Sequence, residues 1–175
     1  DGECLIPLYE EHGEKFIKKL EGEVAVILFD FAKNKIIISS DIFRTKPIYY
    51  SISNGKFGCS TFKTPLELAG HVRVRKMPPN TAKIFDLKTL EQVDEYTVHE
   101  FDLNQHKDSF DDWNVAFHES MRKRVENTSQ KIFIGLSSGY DSGAICFELL
   151  KMEKPFKAYS VIGTENDSLL NQRFK

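Results

Sequence analysis

No apolar run in these 175 residues is long enough to span a bilayer. Cysteine is scarce. Cys4, Cys59 and Cys146 stand far apart, with neither zinc-ligand spacing nor the density of a disulfide scaffold. Each is expected to be a small buried apolar side chain, and the compartment a reducing, cytoplasmic one. The five histidines are just as scattered, which argues against a metal centre built from Cys and His. An excess of one charge is also lacking. With 24 Lys and Arg against 26 Asp and Glu, the net charge is −2, so neither nucleic acid nor an anionic membrane is an expected partner. What is present is 41 % apolar residues, enough for a real core, in a length that suits one domain or two small ones. Position 1 is Asp, not Met, and the last residues enter an apparent helix, so the expectation is an internal piece of a longer polypeptide.

The first hundred residues read as two short helices followed by antiparallel strands. Leu5, Leu8 and Tyr9, then Phe16, Ile17 and Leu20, fall at helical spacing, with Gly13 as the break. Val24 to Phe29 and Ile36 to Ile38 are continuous apolar runs flanking a polar turn, which predicts two strands covered on both faces. Residues 48–53 and 56–60 flank Asn54-Gly55, the strongest hairpin signal in the chain. Thr64-Pro65 is expected to cap a short helix that stops at Gly70. Pro78-Pro79 fixes a rigid turn before a strand pair at 82–85 and 92–96.

Near Gln105 the composition changes. A polar linker leads into an amphipathic helix from Ser109 to about Val125, with Phe110, Trp113, Phe117, Met121 and Val125 on one stripe. Then comes the stretch with the most chemistry. Ile132 to Leu136 is a short apolar run, residues 137–143 are small and polar, and Ala144, Ile145, Phe147, Leu149 and Leu150 suit a buried helix face. A strand, a tight loop and a helix in that order leave backbone N–H groups free at a helix N-terminus, where the helix dipole favours a phosphate. Ser137, Ser138 and Ser142 could add hydroxyls. Asp141 would repel phosphate unless Mg²⁺ lay between them. No Gly-Lys-Ser/Thr follows, so this is not a Walker loop; an ordinary polar turn suits the same residues. Residues 157–162 read as a second buried strand and Asp167-Ser168 as the cap of a third helix. The resulting β-α-β order demands a parallel pair, whose ligands gather at the carboxyl ends of the strands.

Residues 137–143 resemble the Ser-Gly-Gly-x-Asp-Ser-Ser pyrophosphate-binding loop of ATP pyrophosphatases, with Ser138 and Gly143 as departures. The succession of motifs along the chain resembles the glutamine-hydrolysing asparagine synthetases. Asp1-Gly-Glu3 with Leu8-Tyr9, the Leu20-to-Asp30 segment, Asp41-Ile-Phe43-Arg-Thr-Lys46-Pro47-Ile-Tyr49-Tyr50 and Pro78-Pro79-Asn80 follow that family's order. Arg44 and Asn80 stand where the family's motifs carry Gly, and Ile42 where they carry Arg. The resemblance implies an α+β part followed by an α/β part. Residues 1–104 would be the C-terminal part of a class II glutamine amidotransferase domain, an N-terminal-nucleophile-type antiparallel sandwich. Residues 105–175 would begin a parallel-sheet nucleotide-binding domain of the adenine nucleotide α-hydrolase-like type.

By position, the resemblance implies that Asp1 holds the glutamine α-amino group, though a lone acidic residue there also suits a helix cap. Leu136, Ser137, Ser138, Gly139, Asp141, Ser142 and Ile162 would bind ATP, with Mg²⁺ near Asp141; Ile162 reads equally as plain core. The implied substrates are glutamine, ATP and a carboxylate, aspartate above all, and the implied assembly is a homodimer. No catalytic residue is expected in this stretch, because Cys4 has the wrong neighbours for the family's nucleophile. The rival expectations are a relative that has lost catalysis and serves as a nucleotide-binding or assembly module, and a relative that amidates or cyclises another carboxylate.

Overall fold

The computed structural model describes residues 2–104, 106–163 and 165–173. The chain divides into two compact units, Asp1–Leu103 and Asn104–Lys175. In the first, α1 (Leu5–His12) and a 3₁₀ helix (Gly13–Lys19) precede strands β1 (Ala25–Asp30), β2 (Lys35–Ser40), β3 (Tyr49–Ser53) and β4 (Lys56–Ser60). Helix α2 (Lys63–Leu68) and strands β5 (Arg75–Lys76), β6 (Thr81–Asp86) and β7 (Gln92–Thr97) complete it. Gly13 takes the positive φ of 61° that ends α1, as the sequence predicts. Asn54 and Gly55 have φ of 52° and 67°, which make a two-residue hairpin turn and fix the Ser53–Lys56 register.

The strands form two antiparallel sheets, ordered β1-β2-β6-β7 and β4-β3-β5. Because side chains alternate along a strand, Ile37 and Ile84 face one way and Ile36, Ile38 and Phe85 the other. The first face packs with Val26 and Leu28 against Tyr9, Phe16 and Ile17 of the helical segment. The second packs against Ile48, Tyr50 and Met77 on the side of the smaller sheet. The layers are therefore helix, four-stranded sheet, three-stranded sheet. Burying one isoleucine side chain contributes about 1.5–3 kcal/mol, and Ile36, Ile37 and Ile38 are all fully buried.

The covering expected for both central runs is met only by β2. Strand β1 lies at the sheet edge, and Ile27 and Phe29 are partly exposed. A continuous apolar run does not distinguish an edge strand from a central one. Helix α2 is capped at Phe62, without a side-chain bond, so Thr64-Pro65 lies inside its first turn. Cys4 is exposed, Cys59 is half-buried against the core of Ile36 and Ile38, and of the three only Cys146 is buried.

Asp41 follows β2 directly and is 6 % exposed. Its carboxylate accepts hydrogen bonds from the N–H of Phe43 (2.9 Å), the N–H of Thr45 (3.1 Å) and Thr45 Oγ1 (2.6 Å). Its backbone N–H donates to Val24 O, and its carbonyl accepts from Arg44 and Asn80. One residue thus ties the start of β1, the turn after β2 and the double-proline turn together. Arg44 and Asn80, both at sites of glycine in the resembled motifs, have φ of 52° and 53°. Such a backbone costs an L-residue about 1–2 kcal/mol. Asn80 offsets it by pairing both ends of its amide with the His99 backbone at 2.8 Å. Arg44 gains only one weaker bond, from Nη1 to Met77 O at 3.3 Å.

In the second unit, α3 (Asp111–Val125), β8 (Ile132–Gly135), α4 (Tyr140–Lys151), β9 (Phe156–Tyr159) and α5 (Asp167–Arg173) follow in order. Strands β8 and β9 pair in parallel, as the β-α-β reading requires. Met121, Val125 and Leu149 form one core and Leu136, Cys146 and Leu170 a second. Several expectations change here. Helix α3 starts two residues after Ser109, and its stripe is buried only at the C-terminal end, leaving Phe110 and Trp113 exposed. In α4, Phe147 and Leu150 are exposed, while Glu148 is buried against His118 Nδ1 at 2.5 Å. Strand β9 ends at Tyr159 and alternates in burial, so neither it nor Ile162 is a buried strand position. The cap of α5 is Asn166, whose Oδ1 accepts the Leu169 N–H at 3.1 Å, not the Asp167-Ser168 pair. No helix among the described residues is long and apolar enough to cross a membrane.

Burial alone would raise the Asp41 carboxyl, but the hydrogen bonds from Thr45, Phe43 and Lys46 outweigh it and hold its pKa below the ordinary aspartate value. A depressed folded-state pKa stabilises the fold above the unfolded value of about 3.9. That stabilisation disappears as pH falls through the folded pKa. Asp41→Asn is therefore expected to cost about 1–3 kcal/mol at pH 7, with the gap to wild type narrowing below pH 4; denaturant titrations across pH check this, and a gap that does not change with pH would contradict it.

Candidate nucleotide site

The second unit builds a polar loop at the carboxyl end of β8. Leu136 continues the parallel pairing through its N–H to Tyr159 O at 2.8 Å, and Ser160 Oγ donates to Leu136 O at 2.7 Å. The chain then turns through Ser137, Ser138 and Gly139, and α4 begins at Tyr140. The loop is shorter than expected, for Asp141, Ser142 and Gly143 already belong to the first helical turn. The expected order of strand, loop and helix N-terminus is present.

The loop is knit by its own hydroxyls. Ser142 Oγ accepts the Ser137 N–H at 3.0 Å and lies 2.8 Å from Ser137 Oγ. Ser137 Oγ accepts the Gly139 N–H at 3.1 Å. These bonds return one helical turn onto the strand end and hold the peptide groups in a fixed arc. Asp141 is exposed in that first turn, where the dipole favours a negative side chain.

Two residues that the sequence reading did not assign complete the arrangement. Ser138 donates both its N–H (2.5 Å) and its hydroxyl to Glu165 Oε2. Those bonds, with the nearby charge of Arg173, lower the Glu165 pKa. Arg173 reaches back from α5 to the carbonyls of Ser137 and, at 3.0 Å, Gly139. A Cβ on Gly143 would lie 2.8 Å from Arg173 Nη2 and 2.9 Å from its Cζ. The absence of a side chain at 143 is thus what lets the guanidinium lie against the helix start. The small residue at 143 was the one sequence signal for this; Glu165 carried none beyond its place after the second strand.

The sequence-derived ligands do not all converge. Ser137, Ser138, Gly139, Asp141 and Ser142 share the turn. Leu136 is adjacent, but its side chain is 3 % exposed and packs into the core with Cys146 and Leu170. Only its backbone lies at the loop, and its carbonyl already accepts Ser160. Ile162 is 80 % exposed beyond β9 and lines a cavity of about 380 Å³ with Ser160, Asp167, Leu170 and Asn171. Asp1 lies outside the described residues. No cluster of three or more His, Cys, Asp or Glu that could hold a metal occurs among the described residues.

Residues 1–100 match the model of the glutamine amidotransferase domain. That is more than half of the chain, and the chain belongs to this family. Its similarity to glutamine-hydrolysing asparagine synthetases runs further, across both units. It is 27 % identical to the mouse enzyme over 208 residues, covering 99 % of this chain and 36 % of that one. To the rat enzyme it is 28 % identical over 183 residues, with 88 % and 32 % covered, and to the human enzyme 24 % over 205, with 99 % and 36 % covered. The chain therefore spans little more than a third of the length of these relatives. Among solved structures, the glutamine phosphoribosylpyrophosphate amidotransferase of B. subtilis, complexed with ADP and GMP, aligns with a TM-score of 0.46 at 14 % identity, over 98 % of this chain and 43 % of that one.

Gly143→Ser is expected to drive the Arg173 guanidinium off the Ser137 and Gly139 carbonyls, so that Gly143→Ser and Arg173→Ala are non-additive by about 1 kcal/mol or more. A double-mutant cycle by thermal melting measures that coupling; strict additivity would mean that the two groups do not meet.

Proposed function

We propose that this chain is part of a glutamine-dependent, ATP-consuming enzyme that converts a carboxylate into an amide, with aspartate as the acceptor. The observation that carries the reading is that similarity to glutamine-hydrolysing asparagine synthetases covers both the amidotransferase family's domain and the strand–loop–helix unit behind it. The family's domain supplies ammonia in this reading, and the second unit supplies the activated acceptor.

The logic of two sites is chemical. A carboxylate resists attack by ammonia until its oxygen carries a good leaving group. Attack of that oxygen on the α-phosphorus of ATP expels pyrophosphate; ammonia then bonds to the acyl carbon, and AMP leaves. Excluding water protects the activated acyl group between the two steps. In this assignment Ser137, Ser138, Gly139 and Ser142 hold the pyrophosphate portion through N–H groups and hydroxyls at a helix N-terminus. Ile162 and the Leu136 backbone flank the adenine, and Asp1 pairs with the α-amino group of glutamine.

The loop suits an anion: the Ser138 N–H and hydroxyl already converge on one carboxylate oxygen. Mg²⁺ would neutralise charge between the phosphates and Asp141. It commonly binds through one or two carboxylates plus phosphate oxygens, and needs no cage of protein ligands. We place the enzyme in the cytoplasm, as a homodimer, with small-molecule substrates and no nucleic-acid or membrane partner. One observation favours a second reading, a non-catalytic binding module: the loop departs from the pyrophosphatase pattern at Ser138 and Gly143, and side chains of the same chain contact both positions.

Release of pyrophosphate from ATP, dependent on aspartate and on either glutamine or ammonia, tests the proposal on the intact protein. Asp141→Asn is expected to weaken Mg²⁺-dependent ATP binding by about tenfold, roughly 1.4 kcal/mol, with little change in the metal-independent part. ATP binding without pyrophosphate release under any acceptor would leave the binding-module reading standing instead.

A further inference from the structure

Ser138 turns both of its donors toward one oxygen of Glu165, a residue 27 positions away in the loop between β9 and α5. The Asn166 N–H in turn donates to Ser138 Oγ at 3.3 Å, so the hydroxyl is oriented from two sides. The acceptor carries full negative charge and lies at the turn that opens α4. That is the environment a phosphate oxygen would meet: a backbone N–H, a hydroxyl, the helix dipole and a guanidinium close by. The pattern has a second side. Arg173 is held by the carbonyls of Ser137 and Gly139, so its charge stays at the loop whichever anion is present.

We propose that Glu165 holds the phosphate position of this loop from within the chain, so that the pyrophosphate portion of a nucleotide enters only by displacing the Glu165 carboxylate. This rests on the nucleotide reading given above and adds to it a tethered competitor. A side chain joined to the site has a high local concentration, and a ligand that needs the vacated state binds with an affinity reduced by the fraction of molecules in that state. Released Glu165 is an exposed carboxylate beside an incoming polyphosphate. Like-charge repulsion then favours the ligand that brings Mg²⁺ over one that arrives bare. The site would thereby select the metal-complexed nucleotide.

The test is calorimetric titration of the intact protein with inorganic pyrophosphate and, separately, with ATP–Mg²⁺. Wild type is compared with Glu165→Gln, which keeps the shape and removes the charge, and with Glu165→Ala, which removes the competitor. Thermal melts report whether each variant is folded. Both variants are expected to bind pyrophosphate about tenfold more tightly than wild type, with a smaller gain for ATP–Mg²⁺. Unchanged or weaker binding in both variants, with wild type binding normally, would overturn the competitor and leave the nucleotide reading intact. Absence of binding for both probes in wild type and both variants would remove the nucleotide reading, and the competitor with it.

Discussion

Ile36, Ile37 and Ile38 are shielded from solvent at three consecutive positions, which a β-strand allows only where apolar material covers each face of its sheet. In the first unit, the helical segment covers one face and the small β4-β3-β5 sheet the other. Strand β2 must then lie inside the larger sheet, between β1 and β6, where its backbone is paired on both edges. The price of such a strand is paid at its end, where the chain must leave the sandwich without stranding polar groups. Ser39 and Ser40 are fully buried and donate their hydroxyls to Thr81 O and Pro78 O, and Asp41 gathers the N–H groups of the turn that follows. Three layers and one buried carboxylate are parts of a single solution.

The second unit meets a different constraint. A short parallel pair offers little surface, and its cores are correspondingly small. One sheet side faces α3 and α4 through Ile132, Ile134 and Phe156, while Phe133 and Tyr159 on the other remain largely exposed, their rings in contact edge to face. Parallel sheets are ordinarily covered on both faces. What fixes the loop is therefore not mass of packing but hydrogen bonding: Ser160 to Leu136, Ser142 to Ser137, and Arg173 across to both ends of the turn. Polar bonds set the arc of peptide groups more sharply than a small apolar core could.

Local signals were legible where a single residue determines the backbone. Gly13, Asn54-Gly55 and the order of strand, serine-rich loop and helix were readable because each depends on nearby atoms. The edge position of β1, the exposure of Phe147 and the early end of β9 were not, because they depend on what lies across the sheet. Periodicity reports that a face is apolar, not that something covers it. Within the candidate site, the five residues singled out by their chemistry and motif lie within six positions of one another, so their closeness follows from the chain itself. Glu165 and Arg173 were not legible, since their partners lie 27 and 34 to 36 positions away in sequence. Ser137 and Ser142 are five apart and fall within one loop motif.

The departures from the resembled motifs follow a pattern that bears on whether the loop is decayed or specialised. Asn80 takes a left-handed backbone in place of Gly, and its amide is bonded twice to His99. Gly143 gives up the hydroxyl that the pyrophosphatase pattern has there, and a guanidinium fills the space. Ser138 adds a hydroxyl where the pattern has none, and that hydroxyl is satisfied by Glu165 and Asn166. A loop free of constraint would accumulate side chains whose polar atoms find no partner, yet no buried side-chain polar atom among the described residues lacks one. Arg44 is the exception to full compensation, for one long bond from a flexible side chain offsets little of its backbone cost. It lies in the turn held by Asp41, whose five accepted hydrogen bonds, including the longer one from Lys46, over-determine the backbone there. A strained residue persists where its neighbours leave the chain no other path, and the strength of the Asp41 network is what makes Arg44 tolerable.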